Sequence, residues 1–138
     1  MTIDDIKRIL ENHRKWLTGE AGGERANLRG ADLSGAYLPS APIIPDLHQR
    51  MAEATDPKGA LIMDSWHTCE TTHCRAGWAI HLAGNEGYAL EEKVGPCVAG
   101  ALIYHASTGM VPDFFTSNAD ALADIKACAG KAAAPTPN

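Results

Sequence analysis

The chain has 138 residues and a mass of 14.7 kDa, which suits one domain, and 45% of its residues are hydrophobic, which allows a packed core. The formal net charge at pH 7 is −5. That acidity argues against a broad basic surface for nucleic acid phosphates or anionic lipid, so we expect neither nucleic acid nor membrane as a partner.

The compartment follows from two further features. No run approaches the roughly 18 to 20 apolar residues that span a bilayer, and Asp4 and Asp5 stand where a secretory signal carries basic residues. We therefore expect a cytoplasmic protein, in which thiols stay reduced. The four cysteines are then expected to be buried thiols or metal ligands rather than disulfide partners: Cys69, Cys74, Cys97 and Cys128.

An amphipathic helix is predicted over residues 3–18. Thr2 is a good N-cap, Asp5 completes a capping-box pattern three residues later, and Gly19 suits the C-terminal stop. Between these ends, a stripe at helical spacing is formed by Ile6, Ile9, Leu10, His13 and Leu17.

A five-residue repeat follows, in which residues 26–30 read ANLRG, residues 31–35 read ADLSG and residues 36–39 read AYLP, with a weaker continuation through 41–43. The pattern resembles the pentapeptide-repeat family. That resemblance implies one coil of a right-handed square β-helix, with the small residue and the leucine of each unit pointing inward. Because repeat units are stabilised by their neighbours, a lone coil must pack against something else, and we expect the first helix or the C-terminal region.

Helical patterns fill the rest of the chain. Asp46 is predicted to cap a short helix that closes at Asp56-Pro57, and residues 60–63 form a short apolar run of unassigned type. A helix over residues 73–83 is predicted to begin at an N-cap formed by Thr71 or Thr72. Gly77 inside that helix is unfavourable unless another backbone or a ligand approaches closely.

Three more helices are predicted after Gly84. Asn85 is expected to cap a helix that ends at Val94, Gly95-Pro96 opens the next one, and Ser117 with Asp120 resembles a capping box for the last. In the second of these helices, Ala99, Gly100 and Ala101 permit tight packing.

These patterns predict a mainly α fold with a minor β contribution: an N-terminal helix, one pentapeptide-like coil and a small C-terminal helical bundle. We divide the chain into residues 1–45 for the first helix and coil, residues 46–130 for the helical domain, and residues 131–138 for a disordered tail.

Residues 66–78, WHTCETTHCRAGW, are the densest stretch in side chains that can do chemistry or anchor a core. The first interpretation is structural, with both cysteines and both tryptophans of the stretch buried as core. The second is a zinc site, since zinc takes four cysteine and histidine ligands. Its candidate ligands are Cys69, Cys74, His67 and His73, with Cys97, Cys128, His81 or His105 as further members.

The third interpretation is a nucleophilic thiol. Cys74 would sit at a helix N-terminus, where amides and the helix dipole lower a thiol pKa, with His73 or His67 as the base. A fourth possibility is a phosphate or carboxylate site at the same N-terminus, with Thr71, Thr72, Arg75 and Gly77 as the candidate residues. Otherwise Arg75 is expected to be a surface ion-pair partner.

The same stretch carries a resemblance. Cys-x4-Cys continues directly into Arg-Ala-Gly-Trp, and His-Leu-Ala-Gly, Ala-Ser-Thr-Gly and Ala-Leu-Ala-Asp-Ile follow, within residues 64–128. This pattern resembles a family of small uncharacterised phage and prophage proteins, which implies a location in the host cell cytoplasm.

We therefore expect a non-enzymatic binding protein without a cofactor, which interacts with a host or phage protein and modulates or inhibits it. A small anionic ligand is a further possible partner. The alternative is a metal- or thiol-dependent enzyme that uses Cys69, Cys74 and the histidines of the motif.

Overall fold

A computed structural model describes residues 2–30, 40–63, 67–69 and 72–133. Those residues contain six helices and one two-stranded antiparallel ladder: α1 Ile3–Thr18, α2 Leu47–Thr55, β1 His67–Cys69, β2 Thr72–His73, α3 Arg75–Leu82, α4 Asn85–Val94, α5 Pro96–Thr108 and α6 Asn118–Ala133. The predicted mainly α fold with a minor β contribution is confirmed.

Helix α1 has the predicted ends. The Thr2 hydroxyl accepts the N–H of Asp5, and the Asp5 carboxylate accepts the N–H of Thr2, so the capping box is complete. Gly19 closes the helix in the left-handed conformation at φ 74°, which costs glycine little. Ile6 and His13 are buried, whereas Leu17 at the end of the stripe is exposed.

Two residues of the first repeat unit pack into the core. Ala26 and Leu28 are buried while the residues between and after them are exposed. The N–H of Ala26 donates to Nδ1 of His13 on α1, and the carbonyl of Ala26 accepts the thiol of Cys97 on α5. The unit therefore contacts both the first helix and the C-terminal region. Residues 31–39, which carry the next units, lie outside the described residues, so the coil as a whole stays a prediction.

Helix α2 begins after Asp46, but Asp46 does not cap it with its side chain. Its backbone is left-handed at φ 56°, whereas a capping side chain needs an extended backbone to reach the first amides. The predicted side-chain cap is therefore wrong. The helix buries Leu47, Met51 and Thr55 and packs mainly against α6.

Helix α3 begins at Arg75, two residues later than predicted. Thr72 and His73 are in β2 instead, where backbone bonds join His73 to Ala60 and Ile62. The N-cap of α3 is Cys74, not Thr71 or Thr72. The short apolar run at residues 60–63 therefore lies beside β2, with an isolated parallel bridge between Leu61 and His73.

Helices α3, α4 and α5 pack closely around small residues. A Cβ placed on Gly100 of α5 would lie 2.7 Å from Cβ of Ala76 on α3, so the two helices meet at contact distance. This confirms the tight packing predicted at Gly100. Asn85 is the first residue of α4 rather than its N-cap, a position that Gly84 takes.

Helix α6 begins as predicted, since the hydroxyl of Ser117 accepts the N–H of Asp120. It continues to Ala133, however, so the predicted disordered tail does not begin at residue 131. Alanine and lysine are strong helix formers and carry the helix on. Residues 134–138 lie outside the described residues.

Candidate functional site

Cys74 acts as the cap of α3. Its Sγ accepts the backbone N–H of Gly77 at 3.3 Å, and the side chain is fully buried. Burial raises the pKa of the thiol to about 11, because desolvation outweighs the amide hydrogen bonds that favour the thiolate. The amides at the helix N-terminus act to lower this pKa, as expected, but burial outweighs them and the net shift is upward. The geometry is that of a neutral capping thiol.

His73 belongs to an aromatic cluster on one side of α3. Its buried ring stacks on His81 at 4.6 Å between centroids and meets the edge of Trp78 at 4.6 Å. Nδ1 of His81 lies 2.8 Å from the hydroxyl of Tyr88. These contacts place His73 in the packed interior.

The proposed zinc ligands are only partly described. Trp66 and the side chains of His67 and Cys69 lie outside the described residues, so the set of Cys69, Cys74, His67 and His73 stays a prediction. Among the side chains that are described, no group of three or more His, Cys, Asp or Glu could hold a metal ion.

The candidate anion site at the start of α3 is also divided. Thr71 and the side chain of Thr72 lie outside the described residues. The N–H of Gly77 is bonded to Cys74, while the Arg75 side chain points to α5 and α6. Gly77 and Arg75, the two described members of the set, therefore form hydrogen bonds with different partners.

Arg75 is buried, which corrects the expectation of a surface ion pair. Only 1% of the residue is exposed. Its Nε donates to the hydroxyl of Tyr104 at 2.9 Å, and its Nη1 donates to Oδ2 of Asp124 at 2.6 Å. The guanidinium also lies over the Tyr104 ring, 5.1 Å from its centroid.

The charge of this buried group is retained. Burial acts to lower the pKa of the Arg75 guanidinium, but Tyr104 and Asp124 outweigh it and the pKa is raised. Burial also raises the pKa of Tyr104, so its hydroxyl stays protonated. Arg75 is thus a permanent cation held between a neutral hydroxyl and a carboxylate.

One nitrogen of Arg75 has no partner among the residues that the structure describes. Nη2 is buried, and no described residue accepts a hydrogen bond from it. A buried donor without an acceptor costs about 1–3 kcal/mol, and charged donors cost more. An unpaired buried donor calls for an explanation, and either an ordered water or a ligand group supplies the acceptor in such cases.

Arg75 lines a cavity of about 500 Å³, which we call the arginine cleft. It lies between the first repeat unit, the loop that follows α5 and the start of α6. Its lining residues are Arg29, Gly30, Arg75, Met110, Val111, Pro112, Asp113, Thr116, Asp120 and Asp124. A backbone bond from Gly30 to the carbonyl of Val111, 2.9 Å long, holds two of its sides together.

The charges of the cleft are unequal. Three aspartates face two arginines among its lining residues. Arg29 pairs with Asp113 at 3.5 Å and Arg75 pairs with Asp124, whereas Asp120 makes no ion pair with any residue that the structure describes. The lining of the cleft therefore contains one more carboxylate than it contains arginines.

Most of this site was missed by sequence reasoning. Arg75 was a candidate, but Tyr104 and Asp124 are 29 and 49 residues away from it. The sequence did carry one signal for this site. A lone arginine in an apolar helix, close to a tryptophan and two small residues, is expected to be buried and paired with another side chain.

The chain matches no protein-family model, no curated protein and no solved structure. Within the described residues, no helix has both the length and the apolar character needed to cross a membrane.

Proposed function

We propose that the protein is a small cytoplasmic binding protein of phage type, which holds a host or phage protein at the arginine cleft. The observation that supports this most is the buried Arg75, which lines a cavity of about 500 Å³ and whose Nη2 has no acceptor in the described part of the chain. A cavity of that size suits a ligand group or a short segment of a partner. The phage origin and the host or phage partner are proposed from the motif in residues 64–128.

A thiol-dependent enzyme is a weaker alternative because of what the described cysteines do. Cys74 caps α3 and Cys97 donates to the carbonyl of Ala26, and burial raises the pKa of both thiols. A nucleophilic thiol needs access and a lowered pKa. Both cysteines instead stabilise the helices that shape the interior.

The test is capture of a protein from bacterial lysate with three forms of the full chain: the unchanged protein, Asp120→Lys and Asp4→Lys. Both aspartates are exposed and lie in the first turn of a 16-residue helix, so the two substitutions are matched in their cost to the helix. Only Asp120 lines the cleft. Melting temperatures of all three forms control for folding.

We expect the unchanged protein and Asp4→Lys to capture the same protein, and Asp120→Lys to lose it. Equal capture by all three forms would contradict binding at the cleft. Turnover of a nucleotide or ester that Cys74→Ser abolishes would favour the enzyme instead.

A further inference from the structure

We propose that the arginine cleft recognises a basic segment of the partner protein. A backbone carbonyl of that segment accepts from Nη2 of Arg75, and a lysine ammonium of the same segment pairs with Asp120. This proposal rests on the proposed function and specifies the chemistry of the partner.

The acceptor in the ligand should be neutral. Tyr104 and Asp124 accept hydrogen bonds from Nε and Nη1 of Arg75, whereas Nη2 has no acceptor among the described residues. A phosphate or carboxylate on Nη2 would add negative charge beside Asp124, next to Asp113 and Asp120 in the same cleft. Like charges at this range repel, whereas a peptide carbonyl supplies the hydrogen bond without that cost.

The ligand should also carry a cation. Asp120 and Asp124 are four residues apart on α6, so they share one face with about 6 Å between their Cβ atoms. Arg75 neutralises Asp124, whereas the one described partner of the Asp120 carboxylate is the hydroxyl of Thr116 at 3.5 Å. A lysine has a flexible four-carbon stem between its backbone and its ammonium. Its backbone carbonyl is therefore placed at Arg75 and its ammonium at Asp120, one helical turn from Asp124.

The remaining wall suits the stem of a lysine. Met110, Val111 and Pro112 give the cleft an apolar side. Lysine buries its methylenes along apolar surface while its ammonium stays with a carboxylate or water. The whole chain has a net charge of −5, which favours the approach of a basic segment over an acidic one.

The experiment titrates the full chain with three probes while nitrogen–proton NMR spectra are recorded. The probes are the capped peptides Gly-Gly-Lys-Gly-Gly and Gly-Gly-Glu-Gly-Gly, and inorganic phosphate. The readouts are the Nε–H signal of Arg75 and the backbone amides of Gly30 and Asp120. Asp120→Asn removes the carboxylate at an exposed position, and Asp4→Asn is its matched control.

We expect the lysine peptide to shift these three signals in a saturable way, and the other two probes to leave them in place. Asp120→Asn should weaken the lysine peptide about threefold to fivefold, because it removes an ion pair at an exposed carboxylate. Asp4→Asn should bind like the unchanged protein.

Shifts caused by phosphate or the glutamate peptide would overturn the proposal in favour of an anion site, and equal affinity of Asp120→Asn would overturn the role of Asp120. Absence of shifts with every probe, while protein capture still depends on Asp120, would overturn the basic segment and leave the proposed function standing. Absence of both would remove the two proposals together.

Discussion

Cys74 and Arg75 are adjacent in the chain and both are buried, yet burial has opposite consequences for their charge. The thiol has only backbone amides as partners and stays neutral. The guanidinium reaches a hydroxyl on α5 and a carboxylate on α6 and stays charged. At the scale of the residue, the partners that each side chain finds decide its chemistry.

Native-state labelling tests the role assigned to the cysteines. At pH 8 with iodoacetamide, we expect Cys74 and Cys97 to stay unlabelled, because both are buried and their pKa values are raised to about 11 and about 12. Cys128 is partly exposed and should be labelled. Peptide mass spectrometry locates the label, and labelling in urea is the control. Rapid labelling of Cys74 in the native protein would contradict its capping role.

His13 gives the fold a dependence on pH. Its Nδ1 accepts the N–H of Ala26, so its proton is on Nε2, which donates to the carbonyl of Val94 at 3.0 Å. Burial lowers the pKa of this ring in the folded state. The unfolded chain therefore binds a proton more readily, and stability should fall as pH drops below the unfolded value of about 6.5.

Urea unfolding at pH 7.5 and pH 5.5 measures this effect. We expect the unchanged protein to be less stable at pH 5.5, and His13→Gln to show a smaller difference between the two pH values. His48→Gln is measured for comparison. Burial also lowers the pKa of His48, so this substitution should likewise reduce the difference in stability between the two pH values. Greater stability at pH 5.5, or an undiminished difference in His13→Gln, would contradict the neutral buried ring.

At the scale of the element, a helix was predicted correctly where capping residues in the sequence mark both of its ends. The bounds of α1 follow from Thr2, Asp5 and Gly19, all within one stretch of sequence. The start of α3 was misplaced because threonine is a commoner N-cap than cysteine, and because the pairing of His73 with Ala60 is not local. Helix α6 passed residue 131 because nothing in Lys131 or the alanines stops a helix.

Two glycine substitutions test the packing of the helices. Gly100→Ala would place a methyl group 2.7 Å from Cβ of Ala76, so we expect a loss of about 1–3 kcal/mol in the free energy of unfolding. Gly130→Ala meets no atom within 4 Å, and we expect a gain of up to about 1 kcal/mol from helix propensity. Urea unfolding measures both. Similar effects of the two substitutions would contradict the close contact of α3 and α5.

At the scale of the whole molecule, the arginine cleft could not be predicted because its parts are distant in sequence. It joins the first repeat unit, α3, the loop after α5 and the start of α6. Asp113 and Asp120 look like ordinary turn and capping residues in the sequence, and only the fold brings them to the same cleft as Arg75. The candidate residues of the central motif were grouped because they are close together in the sequence.

The zinc question is also tested on the whole molecule. We expect no stoichiometric zinc in protein purified without chelator, and no change of melting temperature in EDTA, because the described Cys74 and His73 have structural partners. A ligated zinc would contribute to folding directly, so its removal would unfold the region. Elemental analysis and thermal melts provide the measurement. One zinc per chain with a large loss of melting temperature would contradict this expectation.

Photo-crosslinking in bacterial cells tests binding at the arginine cleft most directly. A benzoylphenylalanine at Thr116 places the reactive group on the cleft, and the same residue at exposed Glu92 on α4 is the matched control. We predict one discrete crosslinked protein from position 116 and none from position 92, with the product lost in Asp120→Lys. The same products from both positions, or none from position 116, would contradict a binding function at this cleft.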